Sequence, residues 1–293
     1  MHGWIILDKP LGLGSTQGVS AVKRALREGG YGKYKVGHGG TLDPLATGVL
    51  PIAVGEATKL AGRMLDSDKL YDFTVQFGEE TDTLDLEGQV VAESDVRPTR
   101  AEAEAVLPRF TGPIDQVPPA YSALKVDGER AYDLARKGEA VTLASRAVTI
   151  HALTLREVTS DSATLTAHVS KGTYIRSLAR DIAHALGTVG HVTMLRRVKA
   201  GPFTLDSAIS LDKLADAAKG RTLEYCLLPL RAGLDDIPAL SLEPGQAGAL
   251  RQGKVLTGIA TEDGQHFALE GDTPVALVEV SDGNVRVVRG FNL

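Results

Sequence analysis

An α+β fold in two domains is predicted by three patterns in the sequence. Tyr71, Phe73, Val75 and Phe77 alternate with Asp72, Thr74 and Gln76 as a strand does. Helical spacing recurs at Val19, Val22 and Leu26 and at Ile175, Leu178, Ile182 and Leu186. Beyond Pro229-Leu230 the composition turns to short β-rich runs. At 293 residues, 43% apolar and 24% charged, the chain is long enough for about two domains with a sizeable core.

Taken in order, residues 4–7 read as a short buried strand, ended by Lys9-Pro10 and Gly12 and followed by a helix over 19–26. Next comes Gly37-His38-Gly39-Gly40-Thr41-Leu42-Asp43-Pro44, a glycine run that lets backbone approach a ligand closely. Its Asp-Pro step predicts a short helix with Asp43 as N-cap and Pro44 as first residue. Residues 50–54 form a second apolar strand and 71–77 a third, with one dry face and one wet one.

A shoulder of Pro113, Pro118 and Pro119 precedes residues 121–138, which carry Lys125, Arg130, Arg136 and Lys137 and read as a projecting loop and helix. Thr164, Thr166 and His168 then alternate with Leu165, Ala167 and Val169. A turn at Lys171-Gly172 leads into a helix over about 174–186, with Thr173 as N-cap and Gly187 as stop. Near the end, strands over 275–280 and 285–289 flank the hairpin turn Ser281-Asp282-Gly283-Asn284. The expected domains are 1–230 and 231–293.

The formal charge of −5 conceals an uneven distribution. Residues 1–70 carry a net +3 and residues 120–200 a net +5, against −8 over 71–119 and −5 over 201–293. No apolar run approaches a membrane span, and Trp4-Ile5-Ile6-Leu7 is too short for a signal-peptide core, so the expectation is a cytoplasmic protein. A lone Cys226 excludes an internal disulfide and a thiolate metal cluster, and is expected to be structural. No Gly-Lys-Ser/Thr closes the glycine run as a phosphate-binding loop would require, and no zincin spacing relates the seven histidines, so neither a nucleotide cofactor nor a metal is expected.

The stretch from Gly37 to Pro51 resembles the signature of the TruB-type tRNA pseudouridine-55 synthases. The likeness continues in family order through Leu7-Asp8-Lys9-Pro10-Leu11-Gly12, Asp66-Ser67-Asp68-Lys69-Leu70-Tyr71, Thr81-Asp82-Thr83-Leu84-Asp85, Tyr121-Ser122-Ala123-Leu124-Lys125, Ser170-Lys171-Gly172-Thr173-Tyr174-Ile175-Arg176 and Met194-Leu195-Arg196-Arg197. Together the motifs span about three quarters of the chain, and their order is far more specific than any one of them. The resemblance implies a mixed-sheet pseudouridine synthase catalytic domain, a thumb-like insertion over about 116–146, and a small C-terminal PUA-like β-barrel that binds RNA. It implies an isomerase that converts the T-loop uridine of tRNA without a cofactor, acting as a monomer on the T-arm with no protein partner.

The same resemblance assigns residues. Asp43 holds the position of the essential carboxylate, and Arg176 that of its electrostatic partner; a cation within a few ångströms favours a carboxylate's charged form. From spacing alone Arg176 would be a surface arginine beside Arg180. Tyr71 holds the position of the ring against a flipped base, with a phenol able to relay a proton. Tyr174 and Leu195 hold the other pocket positions, Lys9 is placed among the substrate-binding residues, and His38 enters the RNA loop.

Two departures, Gly14 where the family usually has Thr or Ser and Gly39 for a frequent Thr, each remove a hydroxyl near the site. The alternative function is a non-catalytic tRNA-binding or refolding protein. A guide-RNA-dependent relative fits less well, for lack of a long basic tail.

Overall fold

In the computed structural model, which describes residues 1–122, 124–126, 129–137 and 143–293, the chain is built on a ten-stranded mixed sheet. From one edge the order runs Leu228–Pro229, Gly3–Lys9, Ala46–Val54, Gly190–Ala200, Lys69–Phe77, Ser162–Val169, Arg146–Val158 and Gly112–Gln116. Val36–His38 and Phe203–Thr204 pair alongside. All these pairs are antiparallel except Ala46–Val54 with Gly190–Ala200, which makes the sheet mixed.

Both faces of the Gly3–Lys9 end are covered, which explains its continuous apolar run. Ile5 and Leu7 pack with Leu50 and Ile52 beneath the helices Ser15–Glu28 and Leu211–Lys219. Trp4 and Ile6 turn to the other face, where Val49, Leu60 and Met64 meet Phe267, Leu269, Leu277 and Phe291 from the C-terminal segment. Along Lys69–Phe77, Phe73, Val75 and Phe77 are buried under the helix Ile175–Ala185, which contributes Ile175, Leu178, Ala179 and Ile182. On the wetter face Thr74 meets Thr164 at 2.8 Å, and Thr166 donates to Asp72 at 2.6 Å.

The helix begins one residue later than its sequence predicts. Tyr174 is the N-cap, and the Thr173 hydroxyl instead donates to Ser170 O at 2.9 Å, tightening the preceding turn. Gly187 follows the C-cap Leu186 as expected.

Asp43-Pro44 does not open a helix. The N–H of Ala46 donates to Asp43 O at 3.0 Å, a four-residue turn with Pro at its second position that feeds directly into the Ala46–Val54 strand. Asp-Pro serves such a turn as well as a helix start, and the strand's pairing on both sides decides between them.

Within the expected insertion, Lys125–Val126 pairs with Glu129–Arg130 and the helix Ala131–Arg136 follows. The side chains of Lys125, Arg130 and Arg136, and Gly138, lie outside the described residues. Lys137 pairs with Glu129 at 2.9 Å.

The C-terminal segment forms a four-stranded sheet, ordered Ala239–Ser241, Gly264–Glu270, Thr273–Ser281 and Asn284–Gly290, packed against the helix Pro244–Arg251. The expected hairpin turn is present, with Asp282 and Gly283 both at positive φ as a type I′ turn requires. Among the described residues the sheet is open, so the closed barrel expected here is not found.

Candidate active site

At the centre of the sheet, the turn after the glycine run, the Lys69–Phe77 strand, the start of the Ile175–Ala185 helix and the Gly190–Ala200 strand surround a cavity of about 300 Å³. Asp43, Tyr71, Tyr174, Arg176 and Leu195 all line it. Sheet register brings three of these elements together, since Leu195 is the cross-strand partner of Ala46 on one side and Phe73 on the other.

Arg176 is 5% exposed. Its Nε lies 2.9 Å from Asp43 Oδ2 and 3.8 Å from Asp85 Oδ2. The shorter contact meets the distance of an ion pair without the angle of a hydrogen bond, because Nε–H has no acceptor in line. The other guanidinium nitrogens are committed to backbone: Nη1 donates to Thr83 O at 2.9 Å and Nη2 to Tyr121 O at 3.0 Å. Buried backbone carbonyls and two carboxylates therefore fix the position of Arg176, and the surface role its spacing favours is overturned. Asp43 keeps 38% of its side chain open to the cavity, as a group that must meet a ligand needs to.

The Asp43 turn is held from below. Lys9 is fully buried, and its ammonium donates to Pro10 O at 3.0 Å, Leu13 O at 2.5 Å and Pro44 O at 3.2 Å. Expected to bind substrate, it instead ties two loops together, because all three donors are spent on carbonyls. Burial pushes its pKa down to about 8, against the pull of Asp43 and with help from Arg197.

Ser15 holds the same loop from the side. Its hydroxyl donates to Leu42 O at 3.0 Å and accepts from Leu42 N at 2.8 Å.

Two further cations went unassigned in the sequence. Arg197, 1% exposed, donates from Nε to Val49 O at 2.8 Å, and its outer nitrogens reach Thr41 O and Gly40 O at 3.3 Å. Lys69 donates to Met64 O at 2.7 Å, Leu65 O at 2.9 Å and Ser67 O, and burial pushes its pKa to about 8. Leaving one buried carbonyl unpaired costs about 1–3 kcal/mol, so these cations are structural for the loops. Both stand inside motifs of the sequence, but only the fold shows that they point inward.

His38 does not line the cavity. It sits on Val36–His38 opposite Ile52, half-buried, with Nδ1 unpartnered. Burial, and then the Arg197 charge, push its pKa down, so the ring is neutral at pH 7.

The two departures have local explanations. Gly14 is the N-cap of Ser15–Glu28, where its N–H donates to Gln17 Oε1 at 2.7 Å. A Cβ on Gly39 would stand 2.6 Å from Met64 Cβ, so Met64 occupies the space a threonine would need.

Elsewhere, burial pushes the Cys226 thiol up, away from thiolate chemistry. Asp68 Oδ2 lies 3.2 Å from His151 Nε2 and 3.8 Å from His168 Nε2, a trio compatible with a metal ion. Sequence spacing could not reveal it, since His151 and His168 stand on two different strands and Asp68 on the link just before a third. Side chains 37–49% exposed leave water to compete at every ligand, which fits imidazole–carboxylate pairing better than a built metal cage.

A central mixed sheet with this cavity is the pseudouridine synthase fold. Among solved structures, a chain of an H/ACA ribonucleoprotein bound to a substrate RNA containing 2′-deoxyuridine superposes with a TM-score of 0.76 at 24% identity, over 99% of this chain and 85% of that one. A chain of an archaeal box H/ACA complex gives 0.73 at 23%, over 98% and 85%. At these identities the likeness is one of fold.

Sequence comparison goes further. The profile described as TruB family pseudouridylate synthase (N terminal domain) matches residues 27–175, and that of the tRNA pseudouridylate synthase B C-terminal domain matches 176–235. The tRNA pseudouridine synthase B of Novosphingobium aromaticivorans is 71% identical over 298 residues, covering 100% of this chain and 98% of that protein. Its namesake in Zymomonas mobilis is 63% identical over 292 residues, covering 100% and 96%. The chain belongs to the TruB family of pseudouridylate synthases.

Proposed function

We propose that this chain isomerises the T-loop uridine of tRNA, at position 55, to pseudouridine, with Asp43 as the essential carboxylate. The observation that carries the reading is the Asp43–Arg176 pair at 2.9 Å, in a cavity also lined by Tyr71. The reaction breaks the N-glycosidic bond, turns the base and rejoins it through carbon, so nothing is added, removed, oxidised or reduced. Asp43 supplies the lone pair that starts it, and Arg176 holds that carboxylate in one orientation.

The uridine is first flipped from the RNA stack, at a cost of a few kcal/mol. Tyr71 receives the base on its ring and relays a proton through its phenol, while Tyr174 and Leu195 close the pocket. His38, outside the cavity and neutral, meets the RNA loop.

The insertion grips the T-arm, and residues 231–293 add RNA contacts as a PUA-like module beside a catalytic domain of 1–230. The protein works as a monomer in the cytoplasm. In the test, Asp43→Asn is incubated with unmodified tRNA: retained binding with no pseudouridine supports the reading. Equal absence of product from the unaltered protein would favour a tRNA-binding or refolding role instead.

A further inference from the structure

The insertion leaves the sheet at Gln116 and returns at Arg146, and these two residues are cross-strand partners. Both reach the turn that leads into the helix of the candidate catalytic arginine. Gln116 is fully buried, and its amide grips the Tyr174 backbone twice, Oε1 accepting from N–H at 2.8 Å and Nε2 donating to C=O at 3.2 Å. Arg146 lies over the Tyr174 ring at 4.9 Å and donates to Gly172 O.

A helix start leaves backbone N–H groups without partners, and a side chain normally caps them. Tyr174, the N-cap of Ile175–Ala185, makes no side-chain cap bond. Gln116 satisfies the Tyr174 N–H from another strand, as the glutamate or glutamine of a capping box does from within its own helix. Arg176 stands two residues further on. The insertion's first residues are tied to this helix again through Val117 O, which accepts from Arg180 at 3.1 Å, and Tyr121 O, which accepts from Arg176 at 3.0 Å.

We propose that Gln116 and Arg146 are positioning residues: through Tyr174 they set the Arg176 guanidinium beside Asp43, so that what the insertion grips governs the geometry of the ion pair. Neither acts on the substrate's reacting atoms. The amide of Gln116 fixes the helix start, and the flat guanidinium of Arg146 fixes the ring that closes the pocket. An ångström of drift at Arg176 is enough to cost up to about a hundredfold in rate. The inference rests on the reading of the cavity as a uridine-isomerising site.

The test measures single-turnover conversion of tRNA at saturating protein, tRNA affinity, and amide exchange at Tyr174. For Gln116→Ala the expected result is a rate lower by about ten- to a hundredfold, affinity within about threefold, and faster exchange at Tyr174. Gln116→Glu restores the donor only when protonated, so its rate relative to the unaltered protein recovers as pH falls. Arg146→Lys keeps the charge but loses the flat guanidinium over the Tyr174 ring, and is expected to slow conversion with affinity held.

A folded Gln116→Ala with unchanged rate, or an Arg146→Lys that weakens binding at unchanged rate, overturns the proposal for that residue. Where Gln116→Ala does not fold, the pH series of Gln116→Glu decides: a constant rate ratio across pH overturns it. An unaltered protein that makes no pseudouridine would overturn the reading of the cavity instead. Exchange at Tyr174 needs no substrate and still decides the clamp: unchanged exchange in Gln116→Ala contradicts it.

Discussion

Arg176 sits between two carboxylates and two backbone carbonyls, and only one of those four neighbours, Asp43, is open to the cavity. Its worth is orientation rather than stability, because a half-open carboxylate is partly screened by water. Arg176→Lys retains one charge but cannot span Asp43, Thr83 O and Tyr121 O at once. The expected outcome is a single-turnover rate lower by roughly a hundredfold or more, with tRNA affinity little changed.

Lys9 and Lys69 give a pH dependence. In the unfolded chain each stays protonated to about its ordinary 10.5, whereas in the folded protein burial brings the value to about 8. Between those values the unfolded state binds more protons, so their contribution to stability rises with pH across that window; below about 8 burying the charge counts against the fold. Function moves the other way, since a deprotonated amine has one hydrogen fewer for the carbonyls it ties. An alkaline limb near pH 8 is expected in the conversion rate and, in thermal melts over pH 8–10.5, a gain in Tm that Lys9→Met reduces.

The Asp43 turn is an element held by others, which makes its supports testable one at a time. Ser15→Ala leaves both backbone groups of buried Leu42 without their partner, at a cost of about 1–3 kcal/mol, measurable by denaturant unfolding. Gly39→Ala pushes a methyl to within 2.6 Å of Met64 Cβ and is expected to cost about 1–3 kcal/mol, measurable by the same unfolding; Met64→Ala, which keeps that Cβ, is not expected to restore the loss in full.

These supports mark the limit of what is legible in the sequence. Alternation at Phe73, Val75 and Phe77 and helical spacing at Ile175, Leu178 and Ile182 reveal strand and helix because each pattern records a single buried face. The ordered motifs likewise mark Asp43, Tyr71, Tyr174, Arg176 and Leu195, which the fold gathers into one cavity. Lys9 and Arg197 are not legible as anchors, since nothing local distinguishes a cation bonded to distant carbonyls from one reaching for RNA. The Asp43-Pro44 turn is mistaken for a helix start for a related reason: the choice is made by strand pairing on either side.

Across the whole molecule, one face of the catalytic sheet depends on the C-terminal segment. Phe267, Leu269, Leu277 and Phe291 cover Trp4, Ile6 and Met64, and Arg63 reaches Gln265 at 2.7 Å and Asp236 at 3.0 Å. Removing residues 239–293 would bare that apolar face, so the truncated chain is expected to melt at a lower temperature and to aggregate, as light scattering would show. The sheet, its covered faces and the gripped loops together hold the Asp43 carboxylate in the lining of a cavity of about 300 Å³. The most direct measurement is to incubate unmodified tRNA with the unaltered protein and with Asp43→Ala, and to map pseudouridine along the product. Conversion confined to the T-loop uridine is expected from the unaltered protein and none from Asp43→Ala; normal product from Asp43→Ala, or modification only elsewhere in the tRNA, would overturn the role assigned to Asp43.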